Sequence, residues 1–171
     1  PAVLGVLLTE LGRAAAQAAD LAQAGLEGPP ALAGVDVHPG NFLITADDRA
    51  VLTDLERAQY GHPAADLAHA SLPTSTRWDP GVAATLSAAQ TQAFYGSWET
   101  AAGDEAAAQW LPAAAAARRL VWLRTLTWMA HWRLGGRAAA PAMAPELLAH
   151  MDAHAAWALS ADGVGAVADT L

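Results

Sequence analysis

Apolar residues recur at helical spacing from the start of the chain: Leu4, Leu7, Leu8, Leu11, Ala15, Ala18 and Ala22 share one side, and Glu10, Arg13, Gln17 and Asp20 take the other. The spacing predicts a long amphipathic helix, ended by Gly28-Pro29-Pro30, because two prolines supply no amide to a continuing helix. The period then changes. Phe42-Leu43-Ile44-Thr45 and Ala50-Val51-Leu52-Thr53 are β-prone runs joined by the polar turn Ala46-Asp47-Asp48-Arg49, which predicts a hairpin. The stretches 34–41 and 54–63 on either side read as irregular and leave the hairpin at one end. After Pro63 the pattern is helical again, with an ordered irregular loop over 72–81. Ser87-Ala88-Ala89-Gln90 has capping-box spacing and predicts a helix through Phe94 and Trp98. Pro112 suits the first turn of another, carrying Leu120, Leu123, Leu126, Trp128 and Trp132 as far as Gly135-Gly136. A last helix begins near Pro145, with Leu147, Leu148, Met151, Ala155 and Ala158 on one side. The fold class is therefore mainly α with a small β-hairpin.

With 171 residues, 54% of them apolar, a single domain spanning 1–171 can bury a core of its own. Much of that fraction is alanine, so the seven Trp and the leucines must fill the volume. The formal charge is −8 and all nine basic residues are Arg, which leaves no broad basic face for nucleic acid. An acidic surface suits a cationic small molecule, although solubility alone explains most acidic surfaces. The absence of Cys excludes disulfides and thiolate metal sites and suits the cytoplasm. Charges interrupt every apolar run, so no membrane span is expected. The chain opens on Pro1 inside a helical pattern, as expected of a piece of a longer protein.

The stretch with chemical content is Asp36-Val37-His38-Pro39-Gly40-Asn41, followed by Asp54-Leu55-Glu56 beyond the hairpin and by Asp66-Leu67-Ala68. An Asp and an Asn five residues apart, with a second Asp across a hairpin, can gather three oxygen donors around one point. Magnesium prefers such oxygens and takes few of them from protein. Phosphoryl transfer needs a carboxylate to accept the proton of the attacking hydroxyl and oxygens to hold the metal that neutralises the phosphates. Asp36 is the candidate base, and Asn41 and Asp54 are the candidate metal and cofactor ligands. His38 either orients the base or contacts substrate, or else braces the loop by a hydrogen bond. Asp47 and Asp48 read as turn residues and His62 as a surface or structural residue. His150 and His154, one helical turn apart, lack a third ligand and read as helix-flank histidines. Trp122, Trp128 and Trp132 read as core packing with Arg124 and Arg133 snorkelling outward.

The run from Asp36 to Ala68 resembles the motif region of the aminoglycoside phosphotransferase and choline kinase superfamily. There an H-G-D-x-H-P-x-N loop precedes a hairpin, an I-D-[FW]-x segment and an Asp-Leu-Ala, matched here by His38-Pro39-Gly40-Asn41, Asp54-Leu55-Glu56 and Asp66-Leu67-Ala68. The resemblance implies the C-terminal lobe of a protein-kinase-like α+β fold without its N-terminal lobe. The catalytic loop and metal-binding segment would be 33–68, and the helical substrate-side region 69–171. It implies a small-molecule kinase that moves the γ-phosphoryl group of ATP or GTP, with Mg²⁺, to a hydroxyl. Asp36 would be the catalytic Asp, Asn41 and Asp54 would bind magnesium, and Asp66 would brace the loops. The chain departs from the pattern at Gly34-Val35, where the family has His-Gly, and at Leu55, where an aromatic is usual. It contains no Lys, whereas the family's phosphate-binding Lys lies in the N-terminal lobe, so these residues alone are expected to be inactive. Two other functions remain open: a non-catalytic, pseudokinase-like binding module, and a metal-dependent hydrolase using Asp36, His38, Asp54 and His62.

Overall fold

The computed structural model describes residues 2–26, 28–82, 84–136 and 143–171, so Pro1 lies outside the described residues. Helix α1 (Ala2–Ala24) is followed by strand β1 (Ala31–Ala33), the hairpin strands β2 (Phe42–Ile44) and β3 (Ala50–Leu52), and strand β4 (Gln59–Gly61). Helices α2 (Ala64–Ser71), α3 (Pro73–Thr76), α4 (Ala88–Ala102), α5 (Asp104–Trp110), α6 (Ala114–Arg133), α7 (Pro145–Ala158) and α8 (Ala161–Ala168) complete the chain. The architecture is mainly helical with little strand, as the periodicity predicts.

The hairpin forms where expected, with Phe42 opposite Leu52 and Ile44 opposite Ala50. Its turn is the expected polar one: Thr45 Oγ1 donates to Asp47 at 2.6 Å, Arg49 Nε donates to the other Asp47 oxygen at 2.9 Å, and Asp48 takes a left-handed φ of 59°. The flanks are less irregular than the sequence suggests. Ala31–Ala33 and Gln59–Gly61 pair antiparallel, Ala31 against Gly61 and Ala33 against Gln59, in a second ribbon. Two ribbons therefore bracket the loops that hold Asp36 and Asp54.

Helix α6 is the axis of the core. Trp122, Leu126, Met129 and Trp132 on it pack with Leu72 after α2, Met151 and Ala155 of α7, and Val164 and Val167 of α8. Trp122 and Trp132 are buried as predicted, with Trp132 Nε1 donating to Asp152 at 3.0 Å, whereas Trp128 stays 42% exposed. The capping box at Ser87 is complete, its hydroxyl accepting from Gln90 N and the Gln90 side chain accepting from Ser87 N. Helices α3, α5 and α8 were not foreseen: α3 forms inside the stretch 72–81 expected to be irregular, with Pro73 in its first turn, and α8 follows α7 after one turn, with Ser160 accepting from Gly163 N as its cap.

Helix α1 faces the other way from the simple reading. Its inward stripe runs through Val3, Val6 and Leu7 to the buried Glu10 and Ala14, while Leu4, Leu8 and Leu11 are more than half exposed. The cause is Arg119 of α6, itself buried, whose Nε donates to Glu10 at 2.8 Å, Nη1 to Gln17 at 3.1 Å and Nη2 to the Leu171 carbonyl at 2.7 Å. A buried guanidinium must be paired, and turning the Glu10 side of the helix inward supplies this one with a carboxylate. The helix also stops before the prolines, at Gly25 (φ 65°). There Gly25 N donates to Ala22 O and Leu26 N to Leu21 O, a Schellman arrangement that glycine makes inexpensive.

Candidate functional site

Helix α2 builds the loop around Asp36. Asp66, in its first turn, accepts from the amides of Gly34 at 2.6 Å and Val35 at 3.0 Å. His69, three residues on and therefore on the same face, places Nδ1 3.0 Å from the Val37 carbonyl. One face of one helix thus grips the backbone on both sides of Asp36. The bracing role expected for Asp66 is what the hydrogen bonds show.

The backbone in this grip is bent. Val35 has a φ of 67°, a conformation that disfavours a β-branched residue, and it is the position at which the resembling motif carries glycine. Gly34 holds the place of the motif's His. A Cβ there would lie 3.0 Å from Val37 Cγ2 and 3.2 Å from Leu52 Cδ2, so a side chain fits only if those neighbours give way.

Asn41 ties the loop to the hairpin. Its side chain is buried and its Nδ2 donates to the Asp36 carbonyl at 2.9 Å; its own carbonyl accepts from Thr53 N at 2.8 Å and Thr53 Oγ1 at 3.0 Å. Asn41 therefore joins Asp36 to the residue that immediately precedes Asp54. With Nδ2 spent on Asp36, the amide oxygen is left as its acceptor. Asp54 has φ 59° and ψ 50°, and its exposed carboxylate makes no capping bond to the turn that follows it. Asp36 itself has Arg57 Nε 3.8 Å from Oδ2, a long contact to a largely exposed guanidinium.

His38 braces the loop: its Nδ1 accepts from Gly40 N at 3.1 Å and starts the short turn Pro39–Asn41. Its ring also faces Trp78, 6.3 Å between centroids. His62 accepts from Ala64 N at 3.2 Å, the structural role expected of it. His150 and His154 lie against carbonyls, His150 Nε2 3.0 Å from both Arg77 O and Trp78 O and His154 Nε2 3.0 Å from Thr74 O. They clamp α7 to the segment that carries Trp78.

A cleft of about 340 Å³ opens beside Asp36, walled by His38, His69, Ser75, Trp78, Arg124 and Trp128 among others. Burial pushes the His69 imidazole below its usual value; the Val37 carbonyl and the Asp36 charge oppose this, and Arg124 and His38 reinforce it. His69 is thus a neutral ring beneath the Asp36 loop. Sequence reasoning passed over it, and the signal that could have found it is its three-residue spacing from Asp66.

No group of three or more His, Asp or Glu among the described residues is placed to hold a metal. That removes the constellation which a hydrolase built on Asp36, His38, Asp54 and His62 would need.

A sequence model of the phosphotransferase enzyme family matches residues 2–106, well over half of the chain. The chain belongs to that family. The family sits within the aminoglycoside phosphotransferase and protein-kinase-like superfamily, so the function of this phosphotransferase family member is of the kinase-like kind. The match takes in the whole Asp36–His69 region and stops before α6, which supplies Arg124, Thr125 and Trp128 to the cleft wall. No curated protein and no solved structure matches the chain. Among the described residues no helix is long and apolar enough to cross a membrane.

Proposed function

We propose that this phosphotransferase moves the γ-phosphoryl group of ATP or GTP to a hydroxyl of a small molecule bound in the cleft beside Asp36. The observation that carries the reading is the double grip of α2 on the Asp36 loop, together with the Asn41 bridge from Asp36 to Thr53. These contacts hold the Asp36 backbone beside a cleft of small-molecule size and tie it to the residue that precedes Asp54, which supports the reading. In this reading the Asp36 carboxylate accepts the hydroxyl proton as the acceptor oxygen bonds to phosphorus and the bond from phosphorus to the bridging oxygen of the nucleotide breaks, releasing the diphosphate. Asn41 and Asp54 would hold magnesium, whose charge offsets that of the phosphates. His38, tied to Gly40, and His69, tied to Val37, keep the loop in shape and do not take the proton.

The reading also calls for a cover over the nucleotide, bearing the phosphate-binding Lys that this chain lacks. Leu32, Leu43, Ile44, Val51, Leu55 and Tyr60 on and near the two ribbons are all more than 40% exposed, Tyr60 at 81%. Such a patch favours a lobe packed over the ribbons. The test is ³¹P NMR of the full-length protein with Mg-ATP and a panel of small alcohols. Phosphomonoester should form with the wild type and fail to form with Asp36→Asn, which should still bind nucleotide. Equal transfer by Asp36→Asn would remove Asp36 as the base. A binding module without catalysis is favoured by one observation, the strained Val35; it predicts nucleotide binding with no transfer by the wild type.

A further inference from the structure

We propose that the acceptor carries a carboxylate close to its hydroxyl and a flat apolar portion, so that this enzyme phosphorylates a ring-bearing hydroxy acid and not a polycationic sugar. The inference rests on reading Asp36 as the base that faces the acceptor. It starts from the charges on the cleft wall. The chain as a whole carries −8, yet the cleft is lined by two guanidinium groups, Arg57 and Arg124, and by one carboxylate, Asp36. His69 adds no positive charge, because burial keeps it neutral.

The two arginines are not equivalent. Arg57 is already in long contact with Asp36 at 3.8 Å. Arg124, by contrast, takes part in no ion pair among the described residues, whereas Glu10 claims Arg13 and Arg119, and Asp47 claims Arg49. Arg124 projects from the middle of α6 into the cleft, near enough to His69 for its charge to disfavour protonation of that ring. A planar guanidinium with unspent donors is suited to a carboxylate, which it can meet with two parallel hydrogen bonds. A cationic acceptor would meet Arg57 and Arg124 together and find only Asp36 to answer it, the group that has to stay free for the proton.

The flat portion has its own surface. Trp128 is 42% exposed and meets Trp78 edge to face at 5.0 Å, making an apolar aromatic corner on the same cleft. A volume of about 340 Å³ takes one ring and a short hydroxylated chain, at the small end of ligand sites. Carboxylate on Arg124, ring on Trp78 and Trp128, and hydroxyl toward Asp36 together define the acceptor.

Three probes that share a phenyl ring and a hydroxyl separate the charge classes: 3-phenyllactate, 1-phenyl-1,2-ethanediol and 2-amino-1-phenylethanol, an acid, a neutral diol and an amine. Binding to the full-length protein is read by calorimetry and by quenching of tryptophan fluorescence. The acid should bind at least about tenfold tighter than the amine. Arg124→Gln should weaken the acid about tenfold and leave the diol within about twofold, with an unchanged melting temperature because Arg124 is exposed. The inference is overturned if the amine binds as tightly as the acid, if Arg124→Gln weakens acid and diol alike, or if none of the three binds at millimolar concentration. Its failure is separable from failure of the phosphotransferase reading. Transfer to the amine in preference to the acid would sink the charge class alone. Phenyllactate held through Arg124 by a full-length protein that transfers no phosphoryl group would sink the reaction alone.

Discussion

Replacing Asp66 by Ala is the sharpest test of how the Asp36 loop is held. The substitution deletes both acceptors for the amides of Gly34 and Val35, at 2.6 and 3.0 Å. Hydrogen bonds to a charged group contribute about 1.5–3 kcal/mol each, and the half-buried setting of Asp66 places both near the lower figure, about 3 kcal/mol in total. Part of this returns. Once released, Val35 can leave its left-handed conformation, which costs an L-residue about 1–2 kcal/mol. The net loss should therefore be about 2 kcal/mol, or a fall of about 4–8 °C in melting temperature for a domain of this size. In a Val35→Gly background there is no strain to recover, so Asp66→Ala should cost the full amount of about 3 kcal/mol there. Urea unfolding of wild type, both single variants and the double variant, read by circular dichroism and by tryptophan fluorescence, measures all four corners of the cycle. A loss below about 0.5 kcal/mol, or a smaller loss in the glycine background than in the wild type, would refute the account of the grip.

Three further outcomes follow from other parts of the fold. Glu10→Ala leaves the buried Arg119 with only Gln17 and a carbonyl, and should destabilise by about 3 kcal/mol in the same urea assay, whereas a joint Glu10→Leu, Arg119→Met change should restore much of the loss. Burial lowers the folded-state values of both His154 and His69 below the ordinary 6.5, so the unfolded chain binds more protons below that pH. Their contribution is complete above about pH 6.5 and is lost as the pH falls below it; melting temperature should drop between pH 7 and 5.5, and His154→Gln should flatten the slope. Ser87→Ala removes one half of a complete capping box and should cost about 1 kcal/mol, with helix loss confined to α4 in hydrogen exchange.

The legible parts of the fold were those in which a local pattern decides the outcome. The hairpin, the Ser87 cap and the Pro145 start each depend on residues within a few positions of one another, and each forms where the pattern predicts. The second ribbon was hidden because Ala31-Leu32-Ala33 and Gln59-Tyr60-Gly61 carry no run of β-branched residues; their pairing spans the whole hairpin unit and is set by where α1 delivers the chain and α2 takes it up. The buried side of α1 was misread for a similar reason. Leucine count favoured one face, and a single buried arginine 109 positions away decided for the other. In the site, Asp66 was visible because it belongs to a recognisable motif, and His69 was not, because a lone His on a helix has no pattern until its partner carbonyl is known. The cleft charge depends on Arg124, which sequence alone placed among outward-snorkelling groups; nothing local distinguishes an arginine aimed at solvent from one aimed at a ligand.

The central claim is that Asn41 and Asp54 hold a divalent ion beside Asp36. Manganese with ADP, titrated into the isotopically labelled chain, reports this directly, because the paramagnetic ion broadens amide signals near it even when binding is weak. Broadening should centre on the amides around Asp36, Asn41 and Asp54 and disappear in Asp54→Asn. Broadening centred on the Asp47-Asp48 turn, or left unchanged by Asp54→Asn, would contradict the assignment.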